Sequence, residues 1–149
     1  MSKIKSFRGK IGNGEMQTIS LHTNDGSIGY KIVKMDLIAT IGNNMECCLK
    51  VYSISQTSAT VEIDFSDNTL LAAGNYTSDT SSEHYAINES IVFDNVTFNQ
   101  DIHITAKGQS SMDVELNYYI ELEQVKLDLT RNTVATLKDI KNIEQRSQI

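Results

Sequence analysis

Apolar and polar residues alternate with period two along most of the chain, the pattern of strands with one buried face. Ile4 to Ile11 predicts a first strand, ended by Gly12-Asn13-Gly14, whose chemistry is that of a hairpin turn. Met16 to Leu21 forms a second run, stopped at Asn24-Asp25-Gly26-Ser27. A stronger pattern follows. Val33, Met35, Leu37 and Ala39 alternate with Lys34, Asp36 and Ile38, and beyond Gly42-Asn43-Asn44, Met45, Cys47, Leu49 and Val51 alternate with Glu46, Cys48, Lys50 and Tyr52. These two runs read as a hairpin. Thr60 to Phe65 predicts a short strand, with Val61, Ile63 and Phe65 on one side. Asp67 can cap a single helical turn that Gly74 would end. The polar stretch 75–82 reads as a surface loop.

Strand patterning resumes at Ala86 to Phe93 and at Ile102 to Ala106. The clearest run is the last, where Val114, Leu116, Tyr118, Ile120 and Leu122 alternate with Asp113, Glu115, Asn117, Tyr119, Glu121 and Glu123. One face is apolar and the other acidic, which suits an antiparallel sheet wetted on one side. Residues 130–146 change character, with Val134, Leu137, Ile140 and Ile143 spaced by three. That predicts a C-terminal helix, or an extended arm, capped by Thr130 or Asn132. About eight short strands separated by turn signals predict an all-β fold, an antiparallel β-sandwich of jelly-roll type. Its body is residues 1–129, and 130–149 form a helix or tail of the same domain that can pack on a neighbouring subunit.

Composition narrows the function. The chain of 149 residues is 40% hydrophobic and 21% charged, an ordinary globular balance for one domain. Net charge is -6, which disfavours nucleic acid and anionic membrane as partners. The densest basic group is Lys3, Lys5, Arg8 and Lys10. Met1 to Lys5 lacks the apolar run of a signal peptide, and no stretch is apolar enough for a membrane helix. Three matches to the glycosylation acceptor pattern, beginning at Asn75, Asn88 and Asn95, are therefore chance matches in an Asn- and Thr-rich chain. Cys47 and Cys48 are adjacent and point to opposite faces of a strand, so they are poorly placed to bridge each other or to grip one metal. Proline and tryptophan are absent, so turns fall to Gly, Asn, Asp and Ser.

Catalytic patterns do not emerge. His22, His84 and His103 are far apart and lack metal-ligand spacing. Gly9-Lys10-Ile11-Gly12-Asn13-Gly14 is glycine-rich but bounds a strand, unlike a phosphate loop. Asp64, Asp67 and Asn68 offer oxygens to calcium, but the Gly-centred EF-hand loop is missing. The expectation is a protein that is not an enzyme and uses no cofactor or metal.

The second half resembles small virion structural proteins of tailed bacteriophages, especially marine ones. The similarity runs from Ile91-Val92-Phe93-Asp94-Asn95-Val96-Thr97-Phe98-Asn99-Gln100-Asp101-Ile102 through Asn117-Tyr118-Tyr119-Ile120-Glu121-Leu122-Glu123 to Thr133-Val134-Ala135-Thr136-Leu137-Lys138-Asp139-Ile140. The resemblance covers roughly residues 60–143 as shared sequence texture, and it implies a β-sandwich that self-associates on the capsid or tail. The expected function is a capsid decoration (cement) protein that stabilises the head. Its expected partners are itself, as a homo-oligomer such as a trimer, and the major capsid protein, in a virion assembled in the bacterial cytoplasm. The alternatives are a tail tube, adaptor or fibre-associated subunit and a carbohydrate-binding β-sandwich module. Expected contact residues are Lys3, Lys5, Arg8 and Lys10 of the basic first strand, Tyr76 and Tyr85 around the 75–84 loop, and Val134, Leu137 and Ile140 of the C-terminal segment.

Overall fold

In the computed structural model, residues 3–21, 26–41, 45–79, 85–93, 96–108 and 115–127 are described. They form two antiparallel sheets and no helix. The strands are β1 (Ile4–Ile11), β2 (Met16–Ile19), β3 (Ile28–Ala39), β4 (Met45–Tyr52), β5 (Leu70–Asp79), β6 (Tyr85–Val92), β7 (Ile102–Gly108) and β8 (Leu116–Lys126). One sheet has the order β1-β8-β3 and the other β2-β7-β4-β5-β6. A single apolar cluster joins them: Ile11, Leu37, Leu116, Ile120 and Leu122 from the smaller sheet meet Leu49, Val51, Ala72, Ile102 and Ile104 from the larger. Period-two alternation produces this core directly, since Leu116, Tyr118, Ile120 and Leu122 of β8 all face inward.

The turn at Gly12–Glu15 changes sheets instead of closing a hairpin. Gly14 sits at φ +80° and the Glu15 amide bonds the Gly12 carbonyl at 3.1 Å. The chain then leaves β1, which pairs with β8, and enters β2, which pairs with β7. β3 and β4 likewise lie in different sheets and do not form the expected hairpin. A turn signal marks a change of direction and leaves the next pairing partner undetermined. β3 carries a bulge at Val33, between the pairs Ile32–Leu122 and Lys34–Glu121. The extra residue switches the core face from Tyr30 and Ile32 to Met35 and Leu37, and Val33 is pushed outward.

The 53–69 segment corrects two further expectations. Thr60 to Phe65 is a strap, with Val61 and Phe65 exposed. Asp67 caps its own turn, accepting from the Thr69 amide at 2.9 Å and hydroxyl at 2.6 Å, and β5 begins directly afterwards at Leu70. Gly74 is therefore mid-strand. A Cβ there would come within 2.8 Å of Leu37 Cδ1 and 3.2 Å of the Glu89 carbonyl, so glycine permits close approach between the sheets. The stretch expected as a surface loop is β5 as far as Asp79. Tyr76 within it is buried in the core.

The strap covers the outward face of the larger sheet, which is why β4 is buried on both faces. Tyr52, Leu70 and Ala73 form a second small apolar cluster beneath it, joined by Ile63 and Phe93. Lys50 lies under the strap at 1% exposure. Its ammonium donates to Thr60 Oγ1 at 2.8 Å and to the Glu62 carbonyl at 2.5 Å, and lies 5.7 Å from the centre of the Tyr52 ring. Buried ammonium groups are tolerated where such partners replace water. Lys50→Met keeps the aliphatic volume and removes those donors. The expected result is a stability loss of about 1–3 kcal/mol in denaturant titrations, with faster cleavage after Glu62 by a glutamate-specific protease.

Candidate functional site

The outward face of the β1-β8-β3 sheet is built by alternation of inward and outward residues. Rows across it are fixed by register: Ile4, Glu123 and Lys31; Ser6, Glu121 and Lys34; Arg8, Tyr119 and Asp36; Lys10, Asn117 and Ile38. Arg8, Gly9, Lys10, Asp36, Ile38, Asn117, Tyr118 and Tyr119 line a shallow open concavity of about 500 Å³. Exposed apolar groups stand at opposite corners of the face, Ile4 at 53% and Ile38 at 66%.

Charges on this face are mostly paired. Lys10 lies 3.6 Å from Glu115, Lys31 3.9 Å from Glu123 and Lys34 3.5 Å from Asp36. Such exposed pairs contribute little to stability. The Tyr119 hydroxyl donates to Glu121 at 2.8 Å, and that bond raises its pKa. Lys34 Nζ sits 5.9 Å from the Tyr119 ring centre. Arg8 forms no ion pair among the described residues, which leaves its guanidinium beside Tyr119 open to a ligand's carboxylate.

The four basic residues expected at this site divide between two sides of β1. Arg8 and Lys10 share the outward face, whereas Lys5 lies on the other side with its ammonium 5.3 Å from the Tyr30 ring centre. Lys3 precedes the strand, and its carbonyl accepts from the Gln124 amide at 2.8 Å. Tyr76, as a core residue, offers no surface ring. Tyr85 opens β6 opposite Asp79. Val134, Leu137, Ile140 and the rest of the expected C-terminal helix lie outside the described residues, as do His22 and His84. Sequence reasoning missed Tyr119, Asp36, Asn117 and Ile38 as site residues. They alternate with core residues, and their only signal was membership of the wet side of strands that later prove adjacent.

A hydrogen-bonded chain closes one end of this sheet. Tyr118 donates to Gln17 Oε1 at 2.8 Å, and Gln17 Nε2 donates to the Lys10 carbonyl at 2.7 Å. Gly9 makes room for it, because a Cβ there would stand 2.7 Å from the Tyr118 hydroxyl.

Other reactive side chains are withdrawn. Both cysteines are free and buried. Burial pushes the Cys47 thiol up to about 12, and burial raises Cys48 as well, so neither carries thiolate near neutrality. Asp64 has one oxygen committed to the Ser66 amide at 2.9 Å and hydroxyl at 2.5 Å, the cause of its lowered pKa. His103 lies on the outward side of β7, 3.0 Å from the Thr18 hydroxyl through Nδ1. Burial lowers its pKa below 6.5, with Asp101 pulling the other way.

That depression has a sign. The folded ring stays neutral where the unfolded ring takes up a proton, so His103 supports folding above pH 6.5 and that support is lost as pH falls through the folded-state value. Denaturant midpoints at pH 7.5 and 5.5 are expected to differ less in His103→Gln than in the parent chain. An unchanged difference would place the acid sensitivity elsewhere.

No family model matches the chain, and no curated protein or solved structure is found to be similar to it.

Proposed function

We propose that the chain is a non-catalytic assembly protein that docks on other protein copies, specifically a capsid decoration protein of a tailed bacteriophage. The observation that carries the docking reading is the outward face of the smaller sheet. Arg8, which has no ion pair among the described residues, and the Tyr119 ring line a concavity bordered by the exposed Ile38. Tyr and Arg are the residues most enriched in binding hot spots, and apolar neighbours exclude water around them.

Strand order supports the virion part of the proposal. A jelly roll is a long antiparallel hairpin wrapped on itself, so its strands pair as first with eighth, second with seventh, third with sixth and fourth with fifth. β1 pairs with β8, β2 with β7 and β4 with β5. The third and sixth strands depart from that order, since β6 pairs with β5 in the larger sheet, and they are linked only through Asn88 Nδ2, which donates to the Leu37 carbonyl at 2.7 Å. Jelly rolls are common in viral capsids and in lectins, and fold analogy alone does not choose between them. The resemblance to phage virion proteins favours the capsid, with the major capsid protein and further copies of this chain as partners. The C-terminal helix belongs to the same proposal, as a contact between subunits.

Quantitative mass spectrometry of purified virions tests this reading. A copy number proportional to the major capsid protein is expected. A ring-scale copy number would move the protein to the tail, and absence from the particle would end the virion reading. Arg8→Ala with Tyr119→Ala is expected to lower head occupancy about tenfold or more, the loss of one or two hot-spot side chains, without changing the circular dichroism spectrum.

A further inference from the structure

The four strands at the ends of the two sheets dispose of their edges differently. β2 has only four residues. β3 and β6 face each other at the side of the molecule, linked by the Asn88–Leu37 bond. The start of β3 is further covered by Phe98, which exchanges two backbone bonds with Tyr30 at 2.7 and 2.8 Å. β1 has eight residues and, among the described residues, no neighbour beyond β8. In an antiparallel pair, alternate residues direct both backbone groups away from the partner. The Lys3 carbonyl bonds β8, and the Lys10 carbonyl bonds the Gln17 side chain instead. Ile4, Ser6 and Arg8 are in phase with Lys10, so their amides and carbonyls line the outer edge.

This edge carries Lys5, Arg8 and Lys10 and no acidic residue, in a chain of net charge -6. Cationic side chains on an edge discourage pairing with another copy of the same edge, because like charges face each other. The same charges attract an acidic strand. We propose that the Ile4–Arg8 edge of β1 is a strand-addition site for an extended acidic segment of a partner protein. The added strand would extend the β1-β8-β3 sheet and direct carboxylates toward Arg8 and Lys10, with aliphatic residues on its other face. Gln17, by occupying the Lys10 carbonyl, ends the site at Arg8. Main-chain bonds would supply affinity and the charges selection. The inference rests on the docking reading and specifies how that docking is made.

The test uses the full chain and a blocked peptide, acetyl-Val-Glu-Val-Glu-Val-Glu-Val-amide, titrated by calorimetry. Binding is expected, and it should weaken with added salt. Three changes are each expected to weaken it about tenfold or more. The first is Arg8→Glu. The second is Ser6→Pro, which removes an outward amide that β8 does not use, a position where edge strands accept proline. The third is N-methylation of alternate peptide residues, which retains every charge and leaves the protein untouched. A lysine-for-glutamate peptide should not bind. No binding of the acidic peptide overturns the proposal, as does equal binding of the N-methylated one. Full virion occupancy by Ser6→Pro alongside loss by Arg8→Ala with Tyr119→Ala would overturn strand addition while leaving the docking reading intact.

Discussion

Every sheet that does not close on itself ends in a row of backbone donors and acceptors, and that constraint organises this molecule. An unpaired edge in water is tolerable, but it is also a template for another strand. At the side of the molecule β3 and β6 come together, where one asparagine side chain spans the gap. β2 is cut short, and its Gln17 reaches across to β1. Among the described residues, what remains is the first half of β1, within the stretch where the basic residues of an acidic protein are concentrated. Edge and outward face adjoin there, since Arg8 belongs to both. A ligand added to the edge would therefore meet the concavity around Tyr119.

The larger sheet resolves a different problem. Its inward side joins the main core, while its outward side carries Cys48, Lys50, Tyr52 and Thr105, all buried. The strap makes this possible. It offers the Thr60 hydroxyl and the Glu62 carbonyl to Lys50, and the Thr60 and Val61 carbonyls lie 3.5 Å from the Cys48 sulfur. A long loop thus acts as a partial third layer, which leaves the two sheets with unlike outer surfaces. The smaller one shows ion pairs and an aromatic ring, and the larger one is roofed over much of β4.

The sequence made some of this legible and hid the rest for physical reasons. Alternation of apolar and polar residues located β1 and β4 to the residue, while β8 begins at Leu116 and runs to Lys126, three residues later at each end than the run from Asp113 to Glu123. β5 escaped because Ala72, Ala73, Gly74 and Asn75 are weak strand formers. Gly74 lacks a side chain where Leu37 of the opposite sheet presses in, a long-range demand that no local pattern announces. Val61, Ile63 and Phe65 imitated a strand, yet Ile63 packs into the cluster under the strap, Phe65 stands edge-on to Phe93 at 5.2 Å, and Val61 is exposed. The bulge at Val33 shifted the core face by one residue in mid-strand, where periodicity reads a single unbroken face. The basic cluster at the site was visible in the sequence, but its division between two sides of β1 and its meeting with Tyr119 required the register.

The openness of the β1 edge can be measured directly by residue-resolved amide hydrogen exchange on the isolated chain. The amides of Lys5, Phe7, Gly9 and Ile11 bond β8 and should exchange slowly, while those of Ile4, Ser6 and Arg8 should exchange at rates near those of an unstructured peptide. Alternating protection along β1 is the predicted result. Uniform slow exchange across all seven amides would mean that the edge is already covered, and would contradict the account.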